Sequence, residues 1–597
     1  MKGVLILLAL LAGMAWAADP YVGYVYPAGV QAGTTNRLIV GGQFFWNLKG
    51  VEAGPGVRVL GFALVPNFPP PVGGQRRYLV KWLDRIAEGD RTQPRLPVED
   101  EFYTDWRSNR WYSALGELDA GQLALVEHFL YTPRNALQMS PALSQKLHVT
   151  VAVDKDAAPG VRALRVYGPQ GFSPPRPFLV SAAPHVVEPL YVPPHRTQPA
   201  PPVVTNLPCV LDGQILPGST DRWILPLAKG RTVTLRVTAR ELQPYIGDAV
   251  PGFFNPVLRL VNRAGDQLAF ADDFFYHPDP ALTFTAPADD DYTLEIHDNL
   301  YRGREDFTYE IAVREGAHLP SVRTLSLSPL PVWEVPPEAQ IRTFSGVIAR
   351  PGQVDVHTVS VPEPCERTFD LLARRAGSPL DARVTVWRGA DRIARIDDVT
   401  NTFLFGSVIQ AECDPVGRVK FDRPGTYEIR VEDEAGHGGA DFFYTLRLHR
   451  PAPRFEVWCL KSGLALRAWW GGARVGFEVV RRDGFDGSVT LEENDFVKFK
   501  PNVIPAASNR VVVTAISKLQ KPLAPTNMTL TASAVVNGVR VTVPVTPADE
   551  YNQAFAWNHL VPARTFAFVG LPGNRPKPKK NAPPPKKAPV PPKVKKD

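Results

Sequence analysis

The chain has 597 residues, 44% of them apolar, with 61 prolines, 46 glycines and only four cysteines. That much apolar material excludes a disordered chain, and so few cysteines exclude a fold built on disulfides; at about 150 residues per domain the length suits roughly four domains. The formal charge of +7 sits in one place: from Arg575 to Asp597 there are eight lysines and one arginine against one acid, so the tail carries +8 and the body is close to neutral. The folded domains therefore offer no electrostatic case for nucleic acid as a partner.

In chain order, residues 1–17, "MKGVLILLALLAGMAWA", have a basic start, an apolar run and the small-residue ending Ala15-Trp16-Ala17, the pattern of a signal peptide cut after Ala17. No later segment is long and apolar enough to span a membrane, so the mature chain is expected to be exported, whether periplasmic, cell-surface or secreted.

Residues 18–182 read as a β-sandwich. Gly41-Gly42 and Gly54-Pro55-Gly56 break its early strands, and Val149, Val151 and Val153 form the apolar face of a later one. Between about 75 and 145 the period changes to helical. Leu79, Trp82, Leu83 and Ile86 share a face that Gly89 ends, and Asp119 with Gln122 has capping-box spacing before the stripe Leu123, Val126, Phe129 and Leu130. This insertion carries Trp82, Trp106 and Trp111 with Arg107 and Arg110, read either as aromatics covering the sandwich or as a binding surface for a glycan or partner. Residues 183–206 are a proline-rich linker, extended and stiff.

The span 207–450 writes one pattern twice, as 207–316 and 342–450 with a linker at 317–341. Pro217-Gly218 and Pro351-Gly352 are each followed three residues later by an aspartate, Asp221 and Asp355, and the closing strands "FTYEIAV" and "FFYTLRL" carry Tyr309 and Tyr444. A constant register over a domain-sized period marks duplicated domains. Residues 451–571 form a further strand-rich unit, with two strands around the Asp-Gly turn of "RRDGFDG" and a hairpin around Asn537-Gly538. Residues 572–597 are a disordered proline- and lysine-rich tail, a spacer or an arm for polyanions.

No nucleophile elbow, zinc-protease helix, phosphate loop, dinucleotide fingerprint or EF-hand loop occurs. The repeat aspartates Asp272, Asp273 and Asp298 of copy one and Asp397, Asp398 and Asp433 of copy two are the candidate ligands for Ca²⁺, which takes six to eight oxygens. The same residues also read as turn formers and strand ends. Of the cysteines, Cys365 and Cys413 fall within one repeat and are the expected disulfide.

The repeats, through "GQILPGSTDRWILPLAKGRTVTLRVTAR", "LTFTAPADDDYTLEIHD" and "FTYEIAV" in copy one and "LLARRAGSPLDARVTVW", "RPGTYEIRVED" and "FFYTLRL" in copy two, resemble the bacterial pre-peptidase C-terminal domain. The flanks, "YVYPAGVQAGTTNRLIVGG" with "DAAPGVRALRVYGPQG" and "VVRRDGFDGSVTL" with "QAFAWNHLVPA", look like the immunoglobulin-like units of exported proteins that carry such domains in tandem. The resemblance implies jelly-roll β-sandwiches serving secretion or substrate binding, in some relatives with calcium held by an acidic "EPN"-like entry. In that place this chain has "VEPLY" at Val187–Tyr191 and nothing comparable before copy two, a departure from the pattern.

The expectation is an all-β string of four sandwich domains, immunoglobulin-like and jelly-roll-like, with a helical insertion in the first. It acts as an exported non-catalytic scaffold that binds an envelope or extracellular glycan or protein. The alternative is an accessory subunit or atypical member of a secreted peptidase or polysaccharide hydrolase system, with Glu127 and His128 of the insertion as the residues to mutate.

Overall fold

The computed structural model describes residues 19–66, 73–95, 110–131, 143–243, 253–274, 278–318, 342–397, 402–404, 407–409, 414–469, 471–552 and 558–574. The signal peptide, the basic tail, Trp106, Arg107, Asp398 and Cys413 lie outside them. The architecture is all-β and multidomain, as expected. No helix among the described residues is long and apolar enough to cross a membrane.

In the first sandwich one sheet runs Tyr21–Tyr26, Thr35–Gln43, Gln145–Val153, Val57–Leu64, and the facing sheet includes Gly29–Gln31, Arg176–Ser181, Gly160–Gly168 and Gly50–Glu52. Val149 and Val151 meet Leu38, Val40, Leu164 and Phe178 in its core. Gly41 and Gly42 do not break a strand; Thr35–Gln43 runs through both. A Cβ on Gly41 would lie 2.0 Å from the Tyr24 ring and one on Gly42 2.4 Å from Phe45, so the glycines let two aromatics lie on the backbone.

The insertion forms α1 (Gly73–Ala87), α2 (Arg110–Ser113) and α3 (Ala120–Tyr131). Gly89, at φ +95°, follows α1. The capping box is made: the Gln122 amide donates to Asp119 Oδ1 at 2.9 Å and the Asp119 amide to Gln122 Oε1 at 3.0 Å. Trp82 and Trp111 are 2% and 7% exposed within a core that includes Leu79, Leu83, Tyr112 and Val126. The expected aromatic binding surface is therefore not presented by these two rings, while Arg110 is exposed.

The two repeats share one topology. Copy one pairs Asp221–Leu227, Asp290–Asp298, Pro256–Val261 and Gln267–Ala271 in one sheet; copy two pairs Asp355–Val361, Gly425–Asp433, Ala382–Arg388 and Asp391–Ile396 in the same order. The facing sheets run Cys209–Gln214, Thr308–Glu315, Thr232–Thr238, Ala281–Thr285 and Arg342–Val347, Phe443–His449, Cys365–Leu372, Val416–Phe421. Copy one has a fifth strand: His185–Val187, from the proline-rich linker, pairs in parallel with Cys209–Gln214.

The expected Cys365–Cys413 disulfide is not formed, since Cys365 is a free thiol.

In the last unit Thr531–Val536 and Val539–Asn552 form the hairpin expected at Asn537-Gly538, both at positive φ. The Asp483-Gly484 turn instead sends its flanking strands to different partners. Gly472–Arg482 pairs with Arg454–Cys459 and Arg510–Ser517, while Val489–Leu491 pairs with Val503–Ile504 and Thr531–Val536.

The terminal units pack on each other and each holds one repeat. Arg165 of the first sandwich, 2% exposed, donates to Ser462 Oγ at 2.7 Å, and Ser462 bonds Asp549. Phe172 packs with Ala567, Val569 and Leu571. Arg176 bonds Val22 O at 2.9 Å and Leu242 O of copy one at 3.4 Å, and lies 5.9 Å from the Tyr551 ring of the last unit. Copy two docks on the last unit through Asp483, which takes Arg418 at 3.0 Å and Arg454 at 3.2 Å.

Removing Arg165 leaves the Asp549 carboxylate buried without that cation. Arg165→Ala is expected to destabilise the full chain by about 3–5 kcal/mol, read as a lower midpoint in chemical denaturation; an unchanged midpoint would exclude this seam as a structural pin.

Candidate functional site

A cleft of about 840 Å³ opens where the first sandwich, α3, the linker and copy one meet. The linker builds one wall. It is not a free spacer, because Arg196 is ion-paired with Asp84 of α1 at 2.8 Å and with Glu127 of α3. Val203 also bridges to Ile224 of copy one. Tyr191, Leu190 and several prolines present an apolar surface from this strap, facing Tyr24, Tyr26 and Ile39 of the first sandwich. Apolar walls with a few convergent polar groups are the usual composition of a ligand site.

The polar groups come from three elements. Glu188, just after the strap strand, is hydrogen-bonded to Asp221, the first residue of its own strand. Tyr26 donates to Glu188 Oε1 at 2.9 Å and Tyr309 to Asp221 Oδ2 at 2.8 Å. Two carboxyls in contact cannot both ionise without cost, so one proton is held between them. Burial, eased by the Tyr309 and Glu188 hydrogen bonds, leaves Asp221 pushed up to about 6. Burial and then the Asp221 charge hold Glu188 well above the carboxylate range. Deeper in the cleft Glu305 meets Lys146 at 3.0 Å and His128 at 3.5 Å. Burial opposes its ionisation, but Lys146 and His128 outweigh it and bring Glu305 down to about 2. The cleft thus holds a neutral-leaning acid pair and a separate fixed ion cluster.

Half of the acid pair belongs to the repeat. In copy two Tyr444 donates to Asp355 Oδ2 at 2.9 Å, the same clasp between sheets. Gly213 and Gly346 stand opposite these tyrosines in register, and a Cβ there would lie 2.2 Å and 2.5 Å from the hydroxyls. Copy two has Gln353 on its aspartate at 2.8 Å and His357 on its tyrosine at 2.7 Å where copy one has the strap glutamate. The repeated aspartates and tyrosines were visible in sequence as a pattern. Their contact was not, and neither was the arrival of Glu188.

The expected calcium ligands lie elsewhere. Asp298 accepts from the amides of Asn255, Leu300 and Arg302 at 3.0, 3.0 and 3.1 Å and from Arg302 Nε at 2.8 Å. Asp433 accepts from the amides of Asp381, Ala435 and His437 at 2.9, 3.1 and 2.8 Å. Both carboxylates organise the turn that ends their strand. Asp272 and Asp273 are exposed, and Asp397 bonds Arg395 at 2.7 Å. Among the described residues one group of three potential metal ligands comes together, His185, Asp212 and Glu310, and it contains none of these aspartates.

No protein-family model matches the chain, and no curated protein matches it. Among solved structures it is similar to a protein of Eubacterium rectale described as secreted, at 7% identity over 40% of this chain and 74% of that one, with a TM-score of 0.12. It is also similar to the BSP domain of a biofilm-associated protein, at 11% identity over 69% of this chain and 80% of that one (TM-score 0.13). A third similarity is to domains 1–6 of the surface-layer protein SbsC, at 10% identity over 55% of this chain and 54% of that one (TM-score 0.12). Scores this low define no common fold.

The acid pair predicts a pH dependence. A carboxyl whose pKa is raised in the folded state makes that state bind more protons than the unfolded chain, so stability falls as pH rises between the two pKa values and is level above them. For Asp221, raised from 3.8 to about 6, the loss reaches up to about 3 kcal/mol by pH 7. In Glu188→Gln the pair no longer shares a proton. The difference in melting temperature between variant and wild type is expected to move in the variant's favour from pH 4 to pH 7; a constant difference would dismiss the shared proton.

Proposed function

We propose that the chain is an exported, non-catalytic binding and scaffold protein of the cell envelope or extracellular space, and that the cleft at the first seam is its ligand site. The observation that carries the reading is the Glu188–Asp221 pair with its two tyrosines, set as a polar anchor between the apolar walls of a cleft bounded by a pinned strap. A protonated carboxyl beside phenols offers both donors and acceptors, suited to amide and hydroxyl groups of a glycan or an extended peptide. Export rests on the amino-terminal pattern ending Ala15-Trp16-Ala17. The resemblance of both copies to the pre-peptidase C-terminal domain fits the same role. The basic tail is read as an arm toward anionic envelope polymers.

The acid pair itself favours a second reading, a hydrolase or an accessory subunit of one. Two carboxyls in contact that share one proton are the equipment of acid–base peptide hydrolysis, one activating water while the other protonates.

Binding of the purified full chain to envelope polysaccharides and extracellular proteins separates the readings. Tyr26→Ala and Glu188→Gln are expected to weaken capture of the bound polymer at least tenfold while removal of the tail changes only its salt dependence. Unchanged capture in both cleft variants would remove the cleft from the function. Turnover of a polysaccharide or peptide that is abolished by Asp221→Asn would replace the first reading by the second.

A further inference from the structure

Three residues before Glu188, on the same strap strand, His185 turns away from the cleft toward a second carboxyl pair. Asp212 and Glu310 stand directly opposite each other on the paired strands Cys209–Gln214 and Thr308–Glu315. Both are buried, at 0% and 6% exposure. Like charges at such a cross-strand position repel, so the pair needs a proton or a cation between its carboxyls. His185 Nδ1 lies 2.6 Å from Asp212 Oδ2. Glu310 Oε2 is buried with no hydrogen-bond partner. The ligand atoms of the three residues all lie within 4.8 Å of one another.

The tautomer of His185 follows from its other side. Nε2 is 2.9 Å from Ser181 Oγ, and that hydroxyl donates its single proton to Ala183 O at 2.8 Å. Ser181 must therefore accept, and Nε2 must carry a hydrogen. That hydrogen rules out His185 as a base for Ser181, so the Ser–His–Asp sequence of contacts is not a nucleophile triad. Nδ1 is then the nitrogen turned toward the two carboxyls, sharing a proton with Asp212 Oδ2, with Ser181 as the outer group that fixes the ring. Asp212 is oriented in the same manner, its Oδ1 accepting from the Gly29 amide at 3.0 Å so that Oδ2 faces His185. Gly29 keeps the space open: a Cβ there would lie 2.5 Å from Glu310 Oε2 and 2.7 Å from His185 Cε1.

We propose that His185, Asp212 and Glu310 form a binding site for one first-row divalent cation of the zinc type, which ties the strap to copy one beside Gly29 of the first sandwich. One imidazole nitrogen and two carboxylate oxygens, with the fourth position left to water, is a donor set that zinc accepts. Coordination at about 2.0–2.2 Å requires the Nδ1···Oδ2 pair to open modestly as the ion takes the place of a shared proton. This site is separate from the ligand cleft and does not depend on its reading. Arg236, the other charged group acting on Glu310, adds a positive charge that moderates affinity without entering the donor set.

The test uses the tag-free full chain after dialysis against a chelator, titrated with Co²⁺ and then Zn²⁺. The expected result is one Co²⁺ per chain with visible d–d absorption, displaced by one equivalent of Zn²⁺, and a higher melting temperature with either ion. His185→Gln and Glu310→Gln are each expected to lose the tight equivalent and the absorption while melting cooperatively without metal. Glu310→Gln removes no hydrogen bond of Oε2, so its folded state survives the change. Absence of a bound equivalent in the wild type, or its retention in either variant, would overturn the site.

Discussion

Arg176 is the group on which the arrangement of this molecule turns. Its guanidinium is buried, with hydrogen bonds to carbonyls of the first sandwich and of copy one and an aromatic ring of the last unit beside it. A buried cation with five N–H donors must find its partners in place or cost several kcal/mol. Three units that are remote in sequence are therefore held at one mutual angle. The cleft exists because of that angle: shift copy one on the first sandwich, and Glu188 no longer meets Tyr26 on one side and Asp221 on the other.

Duplication supplied two copies of one fold, and docking made them different. Both keep the clasp between an entry aspartate and a closing tyrosine, with a glycine giving the ring its room. In copy one the strap adds a strand, and with it His185 and Glu188 arrive beside carboxyls that copy two either lacks or satisfies with Gln353. Both candidate sites thus arise from one short segment laid along the edge of a pre-existing sandwich.

Local rules were legible in the chain. The alternation of Val149, Val151 and Val153, the Asn537-Gly538 hairpin and the Asp119–Gln122 capping box each depend on neighbours a few residues away, and each formed. The β class and the common plan of the copies follow from the same short-range signals. What the sequence concealed was long-range. Gly41-Gly42 reads as a break until Tyr24 and Phe45 are seen lying on it. The Asp483-Gly484 turn looks like a hairpin, yet its strands belong to separate sheet paths. The Cys365–Cys413 pairing follows from a shared repeat, yet Cys365 carries a free thiol. Aspartates 298 and 433 carry the residue type of a calcium site, but their oxygens are taken by nearby amides. His185, Asp212 and Glu310 span most of copy one and its strap, and no spacing rule would have gathered them.

The buried Arg165 seam joins residues 297 and 400 positions apart, Ser462 and Thr565. A chain that emerges from its amino terminus can complete the first sandwich and copy one well before those partners exist. Until then Arg165 must stay in water and the face around Phe172 must stay uncovered. Closure of that seam therefore waits until the last unit has been made. Copy one is already complete by that stage, so the seam joins a finished part to a late one.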